Sequence, residues 1–295
     1  MLGQIQSYDN LIGPVVDSLK YLSSVSYDVL LFCVIEALSN PSREHSKHEG
    51  TSISPWLLSL ANFCGSAIKK YQIELPGLLQ FVANQLKLGK CLDLLILKEI
   101  VQKMTGIETS EEMTNEQIEA LSGGELLRTE GGSFNQIRNI KKSTLRLKEA
   151  LLENNLAMPL CILMAQQRNC IVFQSENTHL KLIGKLYDQC QETLVQYGNF
   201  LSNSLTIDDY KRRLPSLKEL LLEYHLSPDV TFFLMRPMIS HDITSVFEEL
   251  VAQRTGEKSK QVLFECFNQA SEMVLNPMVE SIKPALSSQV SIDLK

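Results

Sequence analysis

The chain has 295 residues, 44% hydrophobic and 21% charged, with a formal net charge of -6 at pH 7. This is ordinary globular usage, and a compact chain of this length hides about 75% of its unfolded surface, so a core forms without disulfide staples. The negative balance argues against bulk electrostatic capture of nucleic acid or anionic lipid, while leaving room for a local basic patch.

The seven cysteines, Cys33, Cys64, Cys91, Cys161, Cys170, Cys190 and Cys266, are odd in number and form no C-x-x-C pair. Most lie in apolar helical stretches and read as reduced core thiols of a cytosolic or nuclear protein. No N-x-[ST] sequon occurs, because Pro41 blocks Asn40-Pro41-Ser42. Met1 to Asn10 has neither a basic nor an apolar leader region, so no signal peptide is expected. The longest apolar run, Val29 to Ile35, is far below the roughly 18 residues that span a bilayer. The expectation is a soluble chain with no membrane partner.

Apolar residues recur at helical spacing nearly everywhere, and strand-like alternation is absent. In chain order the pattern predicts helices over Leu11–Leu22 and Val25–Leu38, then a polar loop from Asn40 to Ser54. Ser54-Pro55 opens the next helix, Trp56–Tyr71, with Ser54 as N-cap and Pro55 at a position that needs no N–H. Gly77–Leu88 and Cys91–Met104 follow. The second of these is apolar on two sides, through Leu94, Leu97, Val101 and Met104 and through Leu92, Leu95, Ile96 and Ile100. It should therefore lie between two neighbours rather than at an edge.

Thr105 to Gly132 is acidic, with Glu108, Glu111, Glu112, Glu116, Glu119, Glu125 and Glu130 against Arg128, and it contains Gly123-Gly124 and Gly131-Gly132. It reads as a partly helical insertion, with a helix over Asn115–Leu121, and as the domain boundary. Helices resume over Asn135–Glu153, Leu156–Arg168 and Thr178–Asn203. The last should bury a stripe of Leu180, Ile183, Tyr187, Cys190, Leu194, Tyr197 and Leu201. Shorter helices are expected over Ile207–Arg213, Leu217–Tyr224, Pro228–Met235, Ser245–Ala252 and Gln261–Leu275. Thr114 with Gln117, Ser216 with Glu219 and Ser245 with Glu248 have capping-box spacing. Pro76, Pro159, Pro215, Pro237 and Pro277 punctuate the chain, so helices should be short or kinked.

More than ten helices with short links and no strand give an all-α fold class, an α-solenoid of stacked antiparallel helical hairpins of the HEAT/MIF4G kind. The expected organisation is a helical-repeat segment over 1–104, the acidic insertion over 105–134, a second helical-repeat segment over 135–275 and an irregular tail over 276–295.

Chemistry is sparse. The paired glycines lack the lysine and hydroxyl of a phosphate loop, and no G-x-S-x-G is present. His45 and His48 form the one close histidine pair and have no third ligand nearby. Asp208-Asp209 falls in the first turn of a helix, where the macrodipole accounts for it. The expectation is no catalytic residue, no cofactor, no metal and no small-molecule substrate.

The sharpest local feature is the Asn135–Glu153 helix. Ile137, Ile140, Thr144, Leu147 and Leu151 line one face, while Arg138, Lys142 and Arg146 stand at four-residue steps on the other, flanked by Lys141 and Lys148. Such a ridge suits contact with RNA phosphates or the docking of a partner, although no aromatic residues interleave to stack bases. Solvated or internally paired charges are its plainer reading.

Particular stretches carry a resemblance. Leu75-Pro76-Gly77-Leu78-Leu79-Gln80-Phe81-Val82-Ala83-Asn84-Gln85-Leu86-Lys87 leads to Asp93-Leu94-Leu95-Ile96-Leu97-Lys98-Glu99. Pro159-Leu160-Cys161-Ile162-Leu163-Met164-Ala165-Gln166-Gln167-Arg168-Asn169 and Gly184-Lys185-Leu186-Tyr187-Asp188-Gln189-Cys190 follow. In this order, from about Leu75 through Met238, the chain resembles the THO complex subunit 2 family, the large scaffold of the nuclear THO/TREX assembly. The resemblance implies a non-enzymatic α-solenoid in the nucleus. It implies other THO subunits and a DEAD-box RNA helicase as partners, with messenger RNA met mostly indirectly during packaging, processing and export. It also implies that the chain is a central fragment or truncated isoform without the family's basic C-terminal tail.

Overall fold

The computed structural model describes residues 2–40, 53–106, 134–173, 179–254 and 259–293; the side chains of 134–139 and 284–293 lie outside the description. The Asn115–Leu121 helix, the acidic insertion, most of the 40–54 loop and the His45/His48 pair all fall outside the described residues. Among the described residues there is no β-strand, and the fold is all-α.

The elements are α1 (Leu2–Ser7), α2 (Ile12–Ser18), α3 (Ser24–Ser39), α4 (Pro55–Lys70), α5 (Pro76–Lys87), α6 (Leu94–Thr105), α7 (Phe134–Glu153), α8 (Ala157–Phe173), α9 (Leu180–Ser204), α10 (Ile207–Arg213), α11 (Leu217–Leu222), α12 (Pro228–Gln253) and α13 (Lys260–Asp293). One short helix, α1, escapes the sequence pattern, and the expected Leu11–Leu22 helix is broken into α2 between two 3-10 turns. The expected Pro228–Met235 and Ser245–Ala252 helices are one continuous helix, α12, which carries Pro237 in its interior. The helix over Gln261–Leu275 runs on to Asp293, so residues 276–293 of the expected irregular tail are helical. Pro237 and Pro277 are the prolines expected to shorten or kink these helices. Each removes one hydrogen bond, and the rest of the helix continues past it.

Helix ends follow local chemistry. Ser216 and Glu219 form the expected capping box at α11, and Thr206 accepts from the Asp209 N–H at α10. Ser54 and Ser227 occupy N-cap positions ahead of Pro55 and Pro228, with no side-chain cap bond. Ser245 with Glu248 is not a helix start, because both lie inside α12. At the end of α5, Lys90 N–H donates to the Gln85 carbonyl and Gly89 N–H to the Leu86 carbonyl, both at 3.0 Å. Gly89 adopts φ 76°, and this is the paired-bond cap that favours glycine. The same pattern ends α7, with Leu156 N–H to the Leu151 carbonyl at 2.9 Å and Asn155 N–H to the Leu152 carbonyl at 3.2 Å. Asn155 takes φ 51° there, and the chain turns 87° into α8.

Contacts divide the chain into two compact units, residues 1–204 and 205–295. Helices from both sides of the expected 105–134 boundary therefore share the first unit. In it, α4 packs on α6 and α6 on α9, while α3 packs on α5 and α5 on α8. Helices α1 and α2 lie on α4, and α7 contacts α5, α6 and α9. The doubly apolar reading of α6 holds: Leu94, Leu95, Ile96, Leu97, Ile100, Val101 and Met104 are all buried. In α9 the inward face is wider than the expected stripe. Leu182 and Leu186 are buried and Leu180 is exposed, while Cys190, Leu194, Tyr197 and Leu201 are buried as expected. Tyr197 donates its hydroxyl to the Ala157 carbonyl at 3.0 Å, tying α9 to the start of α8.

In the second unit α12 packs on α13, and α10 and α11 pack against that pair. Buried Tyr210 donates to the Leu234 carbonyl at 2.9 Å.

Candidate interaction surface

Helix α7 holds the candidate ridge. Phe134 to Asn139 of this helix, Arg138 included, have side chains outside the described residues. Lys141 and Lys142 are exposed, as expected of a solvent-facing pair, and Lys148 is half-buried. Arg146 departs from the ridge. Its Nη1 donates to the Ile68 carbonyl and its Nη2 to the Ile73 carbonyl, each at 3.1 Å. Ile68 lies in the last turn of α4, where carbonyls have no partner inside the helix and where the helix dipole favours a cation. The planar fork of arginine reaches two acceptors at once. Burial lowers the pKa of this guanidinium from its usual value, yet arginine stays protonated in proteins. Arg146 thus clasps the end of α4 to the link before α5 and takes no place in an outward ridge.

The inward face of α7 is set by Ser143, Leu147, Ala150 and Leu151, all buried. Ile140 and Thr144, expected in the apolar stripe, are half-buried. Ser143 Oγ donates to the Met104 carbonyl at 2.6 Å and Thr144 Oγ1 to the same carbonyl at 3.2 Å, closing the end of α6. Gly106 follows with φ 70°, and a Cβ there would stand 2.4 Å from Ile140 Cδ1. Both the left-handed backbone and the close approach call for glycine.

A second polar feature escaped the sequence reading. Lys98 Nζ meets Glu192 Oε2 at 2.6 Å, Gln196 Nε2 donates to Glu192 Oε1 at 3.1 Å, and Gln102 Nε2 donates to Gln196 Oε1 at 3.1 Å. Residues 98 and 102 are one turn apart on α6, as 192 and 196 are on α9, so the two helices run parallel in a fixed register. The sequence signal was polar residues at four-residue spacing inside otherwise apolar helices. Nearby, Gln167 Nε2 donates to the Leu86 carbonyl at 2.8 Å, which bridges α8 to α5. Buried Arg168 donates to Gln191 Oε1 at 2.7 Å and stands 5.7 Å from the Tyr187 ring.

These groups hold helices together. Among the described residues no three His, Cys, Asp or Glu side chains stand close enough to hold a metal ion. Desolvation pushes the Cys64 thiol up to about 12 and raises Cys161 and Cys190 as well, which disfavours the nucleophilic thiolate. Among the described residues no single helix is long and apolar enough to cross a membrane; the bent pair Ile140–Glu153 and Ala157–Phe173 meets that test by length and composition alone.

Residues 1–61 match the family model described as Thoc2, a transcription- and export-related complex subunit. The chain is 56% identical over all 295 residues to THO complex subunit 2 of Rhinolophus ferrumequinum and to that of Homo sapiens. It is 40% identical over 247 residues to THO complex subunit 2 of Arabidopsis thaliana, a match covering 81% of the chain. It spans 19%, 18% and 14% of the length of these three relatives, respectively.

Proposed function

Since the chain belongs to the THO complex subunit 2 family, we propose that it serves as a non-enzymatic scaffold segment of the THO complex. In this reading it works in the nucleus, within the TREX assembly, during packaging, processing and export of messenger RNA. Its partners are the other THO subunits and the assembly's DEAD-box RNA helicase, with RNA held mostly through them. The observation that carries the reading is unbroken similarity along all 295 residues to proteins named as THO subunits.

The packing supports a solenoid as the form of this scaffold. Helices α3, α5 and α8 succeed one another in one row, and α4, α6 and α9 in a second. The parallel register of α6 and α9 is what equivalent helices of successive hairpins adopt in a stacked array. A rigid rack of this kind presents long surfaces, and its interior polar groups serve alignment.

The test is co-purification. Co-expressed with the other THO subunits, the chain should stay bound to at least one of them after nuclease treatment. Cross-links from Lys87, Lys103, Lys142 and Lys185 would then report the neighbouring subunits. Release of every subunit by nuclease would refute the reading. The competing reading is an RNA-binding module built on Arg138, Lys142 and Arg146, and it has lost Arg146 to backbone carbonyls. A salt titration of RNA binding separates the two: a module of that kind weakens when Lys141 and Lys142 become Glu, and a scaffold does not.

A further inference from the structure

We draw no further inference here: the strongest candidate, the polar side-chain cluster of Lys98, Gln102, Glu192 and Gln196 between α6 and α9, belongs to the helix contact already described.

Discussion

Replacing Arg146 by Met keeps most of the aliphatic stem and removes the fork that joins Ile68 to Ile73. Hydrogen bonds from a charged donor contribute about 1.5–3 kcal/mol each. Arg146 makes two at 3.1 Å. The side chain is half-buried, so water re-solvates part of what is lost and the low end applies, about 2–3 kcal/mol for the pair. In a unit of 204 residues, each kcal/mol shifts the melting temperature by about 2–4 °C. The first unit of Arg146→Met should therefore melt about 5–10 °C lower by calorimetry. Arg146→Lys places one cation near the same carbonyls and should recover about half of the loss, because an ammonium cannot span both acceptors. Lys142→Met, on the exposed side of the same helix, should stay within about 0.5 kcal/mol of the parent. If Arg146→Met and Lys142→Met melt together, the clasp contributes nothing and the outward-ridge reading of Arg146 returns.

Three further outcomes follow from the packing. A Cβ on Gly65 would stand 2.8 Å from the Glu99 carbonyl oxygen and 3.1 Å from its carbon. Gly65→Ala should therefore cost about 1–3 kcal/mol by urea titration; propensity alone predicts a gain of about 1 kcal/mol in an exposed helix interior, so a stabilised variant would refute the close crossing of α4 and α6. Tyr197→Phe removes the hydroxyl that donates to the Ala157 carbonyl and should cost about 1 kcal/mol with the fold intact; an unchanged urea midpoint would discount that bond. The thiols fix the alkaline limit. With the folded pKa of Cys64 raised from 9.0 to about 12, its contribution is fully present below the unfolded value and is lost as pH rises from there through about 12. The limiting slope is about 1.4 kcal/mol per pH unit for each buried thiol. Urea midpoints should fall between pH 8.5 and 10.5, and Cys64, Cys161 and Cys190 should react with a thiol reagent only after unfolding; ready labelling of Cys64 in the native chain would contradict its burial.

What was legible in the sequence was what local rules govern. The two-sided apolar pattern of Leu94 to Met104 located α6 between neighbours, and Ser216 with Glu219 fixed the start of α11. The failures share a cause in longer-range packing. Pro237 and Pro277 carry strong local signals to stop, yet α12 and α13 pack on each other, and that contact outweighs a missing hydrogen bond. Arg146 was misread because helical spacing tells which residues share a face and not what the face meets. The carbonyls of Ile68 and Ile73 are more than seventy residues away in sequence.

The ladder of Lys98, Glu192, Gln196 and Gln102 explains why an otherwise apolar helix contact carries polar side chains. Leucine and isoleucine surfaces tolerate sliding, since one turn of displacement exchanges one apolar contact for another. Moving α9 by one turn along α6 would put Gln196 opposite Lys98 and Phe200 opposite Gln102, leaving the Glu192 carboxylate without its cation. Polar pairs inside helix interfaces are best attested as devices that fix register. In a stack of helices, small register errors accumulate from one helix pair to the next. A ladder that admits one alignment of α6 and α9 therefore sets the spacing of the outer faces of these two helices.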